Sequence, residues 1–260
     1  MWRLPLLLIL AALQSACTPS HLVLNRMADE LASQGLAQED DLVLARDAGA
    51  FYLKLSESIL RQTPDHTALG EAVAGGFTQY AFAFVAFEAE RLETHDARAA
   101  QRLRERARHL YERAHRHAMA TLEARHPGFG RDLARGALQS LQPDQIGLAY
   151  WAAASWGGAI ALSKDQPDVV ADLPLALRLA RLAWERDPGH GQGALASLMG
   201  SFEASRPGGS LTEATRFFDQ AEAFGAGRNA GVFVSRAESL NDGDRDRFER
   251  LLRQAMAIAA

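Results

Sequence analysis

The chain reads GGFTQYAFAFVAFEAER over residues 75–91, and the interpretation of this stretch decides the fold. As a helix it carries four aromatic residues on one face, at three- and four-residue spacing, with Phe82 and Val85 on the opposite side. A helix that is apolar almost all round is normally the buried centre of a larger helical protein. The residues of the aromatic face are Phe77, Tyr80, Phe84 and Phe87.

The same stretch also permits a strand, because Tyr80, Phe82 and Phe84 alternate with alanines at the period of a half-buried strand. The rest of the chain favours the helix, since alanine and leucine are abundant and runs of Val, Ile and Thr are scarce. An isolated strand among helices would leave its backbone groups unpaired. We therefore expect one helix from about His66 to Thr94.

A second stretch that is apolar all round, LAYWAAASWGGAIAL, spans residues 148–162. Its bulky residues are Tyr150, Trp151 and Trp156. Ala154 and Gly157 lie among small residues that leave a smooth surface, where another helix can come close. We expect the aromatic face of residues 75–91 to meet this small-residue face, directly or across a gap.

A pattern of one small residue, one large residue and another small residue recurs at the offsets of the second helix of a tetratricopeptide repeat. Ala107–Tyr111–Ala114 and Ala214–Phe218–Ala221 match this pattern. Ala176–Ala180–Ala183, followed by Pro188, has the same offsets with alanine where Phe or Tyr is usual, and Phe248–Leu252–Ala255 matches more loosely. Stacked helix pairs of this kind bury a continuous core and leave a concave surface or a channel for binding. We predict an all-α fold of degenerate tetratricopeptide-like repeats, stacked around a central pair of apolar helices.

The bulk properties are those of an ordinary globular protein. The chain has 260 residues, of which 48% are hydrophobic and 23% are charged. A net charge of -4 and a pI near 6.1 give no reason to expect nucleic acid as a partner. We expect residues 17–260 to form a single helical domain.

The N terminus has the pattern of an export signal. Arg3 precedes an apolar run, Leu4 to Leu13, that is too short to span a membrane stably. Cys17 is the single cysteine, so it has no intramolecular disulfide partner. We interpret residues 1–16 as a lipoprotein signal peptide and Cys17 as the lipidated residue; the alternative is an ordinary cleaved signal and an incidental cysteine. Thr18 after the cysteine favours the outer membrane.

No arrangement of residues indicates catalysis. The chain contains no nucleophile elbow, P-loop, HExxH or dinucleotide fingerprint. Glu88 and Glu90 point to different sides of a helix, so they do not make an acid and base pair. The histidines of the long helix that starts at Asp96 lack the spacing that would aim two rings at one metal. We predict neither enzyme activity, nor a cofactor, nor a metal site.

Four stretches of the chain, taken together, resemble the T-component of the TRAP transporters, the tripartite ATP-independent periplasmic transporters of bacteria. They are GGFTQYAFAFVAFEAERLE (75–93), EARHPGF (123–129), YWAAASWGGAIALSKDQPDVVADLP (150–174) and PGGSLTEATRFFDQA (207–221). The resemblance implies a periplasmic lipoprotein with a tetratricopeptide-like fold, anchored to a membrane through its lipid. It also implies self-association as a homotrimer, docking to the substrate-binding P-component and an apolar channel for a hydrophobic small molecule.

The two apolar stretches supply the candidate cavity lining. The predicted lining residues are Gln79, Tyr80, Phe84, Tyr150, Trp151 and Trp156, with Thr78 and Ser155 as further polar groups. The competing interpretation of each residue is plain core packing. A competing function is a structural scaffold for envelope proteins that binds no small molecule.

Overall fold

The protein is helical in every part of the chain that the computed structural model describes, namely residues 18–34, 39–138, 140–240 and 243–259. Helices account for 78% of the chain, and the described residues contain no strand. The predicted all-α class is therefore confirmed, and the strand interpretation of residues 75–91 is wrong. The predicted signal peptide and its Cys17 lie outside the described residues.

The helices follow one another through short connections. In chain order they are α1 (Thr18–Ser33), α2 (Leu42–Leu60), α3 (Thr67–Tyr80), α4 (Phe87–Leu92), α5 (Ala97–Arg125), α6 (Phe129–Arg135), α7 (Ile146–Ala161), α8 (Pro167–Val170), α9 (Leu173–Arg186), α10 (Ala194–Ser205), α11 (Leu211–Phe224), α12 (Ala230–Ser239) and α13 (Arg245–Ala259). A π-helical segment, Ala81–Ala86, joins α3 to α4, and a 3-10 helix, Pro143–Gln145, precedes α7.

Polar side chains set the start of the main helices. Asp41 accepts hydrogen bonds from the backbone N–H groups of Val43 and Leu44 at 2.9 and 3.1 Å. Asp96 accepts one from the N–H of Ala99 at 2.9 Å. These first-turn N–H groups have no partner within their own helix, so each cap stabilises the point where α2 or α5 begins.

The stretch that decides the fold is helical but changes its helix type midway. The predicted helix from about His66 to Thr94 is present as one continuous element, because α3 runs through the π-helical segment into α4. A π turn holds one extra residue, so the residues beyond it are rotated by about 100° relative to a regular α-helical pattern. As a result Phe87, expected on the buried aromatic face, is 55% exposed, and Phe82 is 53% exposed. Val85, expected on the opposite side, is fully buried.

The long helix α5 lies at the centre of the packing. Both α3 and α7 pack extensively against α5 and also contact each other. Helices α1 and α2 pack on α3, while α9 packs on α7. Towards the C terminus, α10 pairs with α11 and α12 pairs with α13. The two apolar helices are therefore in contact, but the basic helix α5 shares the centre with them.

The residues of the repeat template are largely buried where the helices pair. Ala214, Phe218 and Ala221 are fully buried in α11, and Ala176 and Ala180 are fully buried in α9. A tetratricopeptide-like repeat requires that both the small and the large residues of this template are buried. The tetratricopeptide-like assignment of the helix pairs stays a prediction.

Gly75 lies where α3 and α7 come close together. A Cβ atom at Gly75 would stand 2.7 Å from Cε2 of Trp151, closer than carbon atoms pack. We expect Gly75→Ala to lower the free energy of unfolding by about 1 kcal/mol, because overpacking of ~1–3 kcal/mol outweighs the ~1 kcal/mol of better helix propensity. Chemical denaturation of the purified variant measures the change.

Gly130→Ala in α6 is the matched control for this prediction. A Cβ atom at Gly130 would meet only Cε of Met119, at 3.9 Å. The control should therefore leave stability unchanged or raise it slightly. Equal losses at Gly75 and Gly130 would show that the contact with Trp151 is not the cause.

Candidate ligand-binding site

An apolar cavity of about 610 Å³ lies among α3, α5, α7, α10 and α12. Its walls are formed by Thr78, Gln79, Phe82, Tyr111, Tyr150, Trp151, Ala154, Gly157, Gly158, Ile160, Ala161, Lys164, Val170, Leu173, Leu198, Ser201, Phe202, Ser205, Pro207 and Ser235. Most of these residues are apolar, and the polar groups among them are hydroxyls, one amide and one amine. No carboxylate of the described residues lines the cavity.

The small residues of α7 let two aromatic rings pack against its backbone and leave room for the cavity beside Ala154. A Cβ atom at Gly157 would stand 2.8 Å from the ring of Phe202, and one at Gly158 would stand 2.9 Å from the ring of Tyr111. The two rings therefore close onto the backbone of α7, while Ala154 leaves the neighbouring turn open to the cavity. The predicted small-residue face is a cavity wall here.

The two apolar stretches face each other across this cavity, as expected. The residues of the first stretch that border the cavity, however, are not the predicted ones. The residues of the first stretch that border the gap are Thr78, Gln79 and Phe82. The face predicted for this role, which runs from Phe77 to Phe87, does not line the cavity. The change of phase at the π-helical segment accounts for part of this difference.

Three of the six predicted lining residues come together at the cavity. Gln79, Tyr150 and Trp151 line it, and the rings of Tyr150 and Trp151 meet edge to face with centroids 4.7 Å apart. The predicted polar group Thr78 joins them, whereas Ser155 is fully buried and donates to the carbonyl oxygen of Trp151 at 2.7 Å. That the lining residues bind a ligand stays a prediction.

The other three predicted residues lie away from the cavity walls. Tyr80 and Phe84 pack edge to face at 5.2 Å in the core between α3 and α5. Trp156 packs its ring against the ring of His115, with centroids 4.3 Å apart. Each of these three rings thus packs against another ring outside the cavity, and a role of these residues in ligand binding stays a prediction.

Sequence reasoning missed several wall residues, among them Phe82, Leu198 and Phe202. Phe82 was assigned to the far side of its helix. The two residues from α10 belong to the segment ALASLMGSFEAS, which mixes small and bulky apolar residues in the same way as the stretch around Trp151. That shared mixture is the signal that could have identified α10 as a third wall.

Three smaller pockets share wall residues with the cavity, and two of them are lined by Trp151 or Tyr150. One of about 300 Å³ shares Gln79 and Trp151 with it and is also lined by Tyr52 and Glu71. Burial raises the pKa of the Glu71 carboxyl, an effect that nearby His190 partly opposes. The other, of about 220 Å³, shares Tyr150, Leu198, Ser201 and Ser235. Each of these two pockets therefore adjoins the cavity through shared wall residues.

The phenol groups of the walls stay neutral near pH 7. Burial raises the pKa of Tyr150 to about 12. Burial also raises the pKa of Tyr111, and the carboxylates of Glu90 and Glu238 act in the same direction. Both tyrosines therefore present apolar rings with uncharged hydroxyls, which suits an apolar occupant.

A separate buried charge cluster ties α2 to α5. The side chain of Glu57 is only 3% exposed and accepts hydrogen bonds from Arg113 at 2.6 and 2.5 Å, from Lys54 at 2.6 Å and from His117 at 2.7 Å. The guanidinium of Arg113 also stands over the ring of Phe77, 4.9 Å from its centroid. None of these residues lines the cavity, and the bonds from Arg113 and His117 to Glu57 join α2 to α5.

An exposed apolar surface covers parts of α1 and α2. Its large side chains are Leu22, Val23 and Met27 on α1 and Leu44, Phe51 and Leu55 on α2, with Phe51 73% exposed. The three residues of α2 recur at helical spacing, so they form one stripe. Large exposed apolar patches often mark contact sites for proteins or membranes.

The described residues define an all-α protein whose helices pack around an apolar cavity of ligand size. The chain belongs to the TRAP transporter T-component family, whose model matches residues 38–260. It is also similar to an uncharacterized protein of Treponema pallidum (strain Nichols), with 29% identity over 236 residues that cover 85% of this chain and 72% of the relative.

Family membership bears on the role and on the location of the protein. The family has an accessory role in TRAP transport and is not an enzyme family. It associates with the TRAP transporter, which indicates a periplasmic or membrane-associated location. Among the described residues, no helix combines the length and the apolarity that crossing a membrane requires.

Proposed function

We propose that this protein is a periplasmic lipoprotein of a TRAP transporter that holds a small apolar ligand and binds the substrate-binding P-component. The observation that supports ligand binding is the apolar cavity of about 610 Å³ beside Trp151. Ligand sites in proteins are typically clefts of about 300–1,000 Å³ with apolar walls and a few polar groups. The cavity matches that description in volume and in the chemistry of its walls.

The polar groups of the cavity are suited to orientation of an occupant. Gln79 and Thr78 come from α3, and Ser201, Ser205 and Ser235 come from α10 and α12 on the other walls. A few hydrogen-bonding groups on apolar walls fix the direction of a ligand, while the apolar area provides most of the affinity. We propose Gln79, Tyr150 and Trp151 as ligand-contacting residues.

Membership of the T-component family supports the transporter partner. The exposed apolar surface of α1 and α2 supports protein contacts, which include the proposed homotrimer. Lipidation of Cys17, directly before α1, would hold this end of the protein at a membrane. The same exposed surface favours the second candidate function, a scaffold for envelope proteins without a small molecule.

Recovery of the protein from envelope membranes tests the proposal. We expect native mass spectrometry to find the purified protein with an added mass, and organic extraction to release an apolar molecule from it. A pull-down with the tagged chain should recover a TRAP substrate-binding protein as the main partner. Repeated absence of any extracted molecule, together with outer-membrane assembly factors as main partners, would favour the scaffold instead.

A further inference from the structure

A polar pocket of about 440 Å³ adjoins the apolar cavity. The two spaces share Ala161 and Lys164, which lie at the end of α7 and in the connection after it. On its far side the polar pocket is bordered by Arg104 and Arg108 of α5. An apolar compartment and a polar compartment therefore meet at one lysine.

The basic side chains around this boundary differ in whether they form ion pairs with carboxylates. Arg104 forms an ion pair with Glu93, and Arg108 forms one with Glu112. Lys164 has no carboxylate within ion-pair distance among the described residues. It is also the single charged residue among those that line the apolar cavity. An occupant of the cavity would therefore meet one unpaired positive charge at its polar end.

We propose that the ligand is an amphiphile with an anionic head group, whose apolar chain fills the cavity and whose head group pairs with Lys164. The inference rests on the proposed ligand-binding function and specifies the chemistry of the ligand. A carboxylate or phosphate beside Lys164 gains a charge-assisted hydrogen bond, and a neutral head group does not. Apolar burial supplies the remaining affinity in both cases.

The lining of the polar pocket carries charges of both signs. Glu105 and Asp165 also line that pocket, so its interior holds negative as well as positive groups. A head group beside Lys164 can keep its apolar chain in the cavity, because Lys164 lines both spaces. A head group deeper in the polar pocket would approach Glu105 and the guanidinium groups of Arg104 and Arg108, which are already paired.

Binding of a fluorescent long-chain fatty acid and of its methyl ester to the delipidated full-length protein tests this inference. The acid should bind more tightly than the ester. Lys164→Gln should weaken binding of the acid about fivefold, which equals about 1 kcal/mol, and leave the ester unchanged. Lys164→Arg should retain most of the preference for the acid. A lysophosphatidic acid arm then distinguishes a phosphate head group from a carboxylate.

The sequence provides a second readout that needs no variant. The chain has two lysines, Lys54 and Lys164, and Lys54 is held by Glu57 at 2.6 Å, away from the cavity. Amine-reactive labelling followed by peptide mass spectrometry should show that the fatty acid protects Lys164 but not Lys54. Protection of neither lysine, while the acid is bound, would overturn the head-group assignment.

The outcomes separate this inference from the proposed function. Equal affinity for acid and ester, unchanged in Lys164→Gln, would overturn the anionic head group and leave an apolar ligand in place. Failure of the acid, the ester and the lysophosphatidic acid to bind would contradict the head-group inference and weaken the ligand-binding function as well. Preference for the acid that Lys164→Gln does not reduce would place the head group elsewhere.

Discussion

Glu57→Gln should lower the free energy of unfolding by about 2–3 kcal/mol at pH 7. The carboxylate is almost fully buried and receives hydrogen bonds from Arg113, Lys54 and His117. Loss of one partner of a buried charge pair typically costs about 3–5 kcal/mol, since the remaining charge stays uncompensated. The side chains of Arg113 and Lys54 are 31% and 55% exposed, so water compensates part of that loss. Denaturant titration measures the change.

Glu88→Gln is the control for this prediction. Glu88 pairs with Arg91 at 3.1 Å on an exposed helix surface. Exposed ion pairs contribute only about 0–1 kcal/mol, so the control should lose less than about 0.5 kcal/mol. If Glu57→Gln lost no more than Glu88→Gln, the charge cluster would not be what ties α2 to α5.

The effect of Glu57 should also depend on pH. Burial by itself would raise the pKa of Glu57, but the hydrogen bonds from Arg113, Lys54 and His117 hold it well below its usual value of 4.5. A carboxyl with a lowered folded-state pKa stabilises the protein above the unfolded-state pKa, and this contribution is lost as the pH falls below it. The stability difference between wild type and Glu57→Gln should therefore shrink below about pH 4.5, by up to about 1.4 kcal/mol per pH unit.

The helices were predictable from the sequence wherever the helical spacing of apolar residues continues without interruption. The spacing of apolar residues, together with polar caps such as Asp96, placed the start of α5 and the extent of the helix that contains Tyr80. The π-helical segment was not predictable, because nothing in AFAFVA departs from a good helical pattern. Its extra residue turned Phe87 outward and Val85 inward, so the predicted aromatic face was right only at its first half.

The site was harder to predict than the fold. A sequence pattern tells which side of a helix is apolar, but both a packed core and a cavity wall require an apolar side. The difference depends on the neighbour: the ring of His115 packs against Trp156, whereas the described side chains around Ala154 leave an open space on that side of α7. That neighbour comes from a distant part of the chain, which helix periodicity does not specify.

Ala154→Trp should strongly weaken ligand binding while the protein remains folded. Ala154 lies on the cavity wall within α7, and a tryptophan there would project into the space of about 610 Å³. Its side chain would occupy volume that the ligand needs, so we expect affinity to fall at least about thirtyfold, which is about 2 kcal/mol. Because the added ring enters a cavity and not a packed core, stability should change by less than about 1 kcal/mol.

Ala257→Trp is the matched control, since it makes the same substitution at an exposed position of α13. Native mass spectrometry of both variants, purified from the same envelope fraction, compares the share of protein that retains an added mass. We expect the added mass to be absent from Ala154→Trp and present in Ala257→Trp. If Ala154→Trp retained its ligand in full and unfolded at the same denaturant concentration as wild type, the occupant would lie outside this cavity. The neighbouring space of about 300 Å³ beyond Gln79 and Trp151 would then be the next place to block, because it shares those two walls but not Ala154.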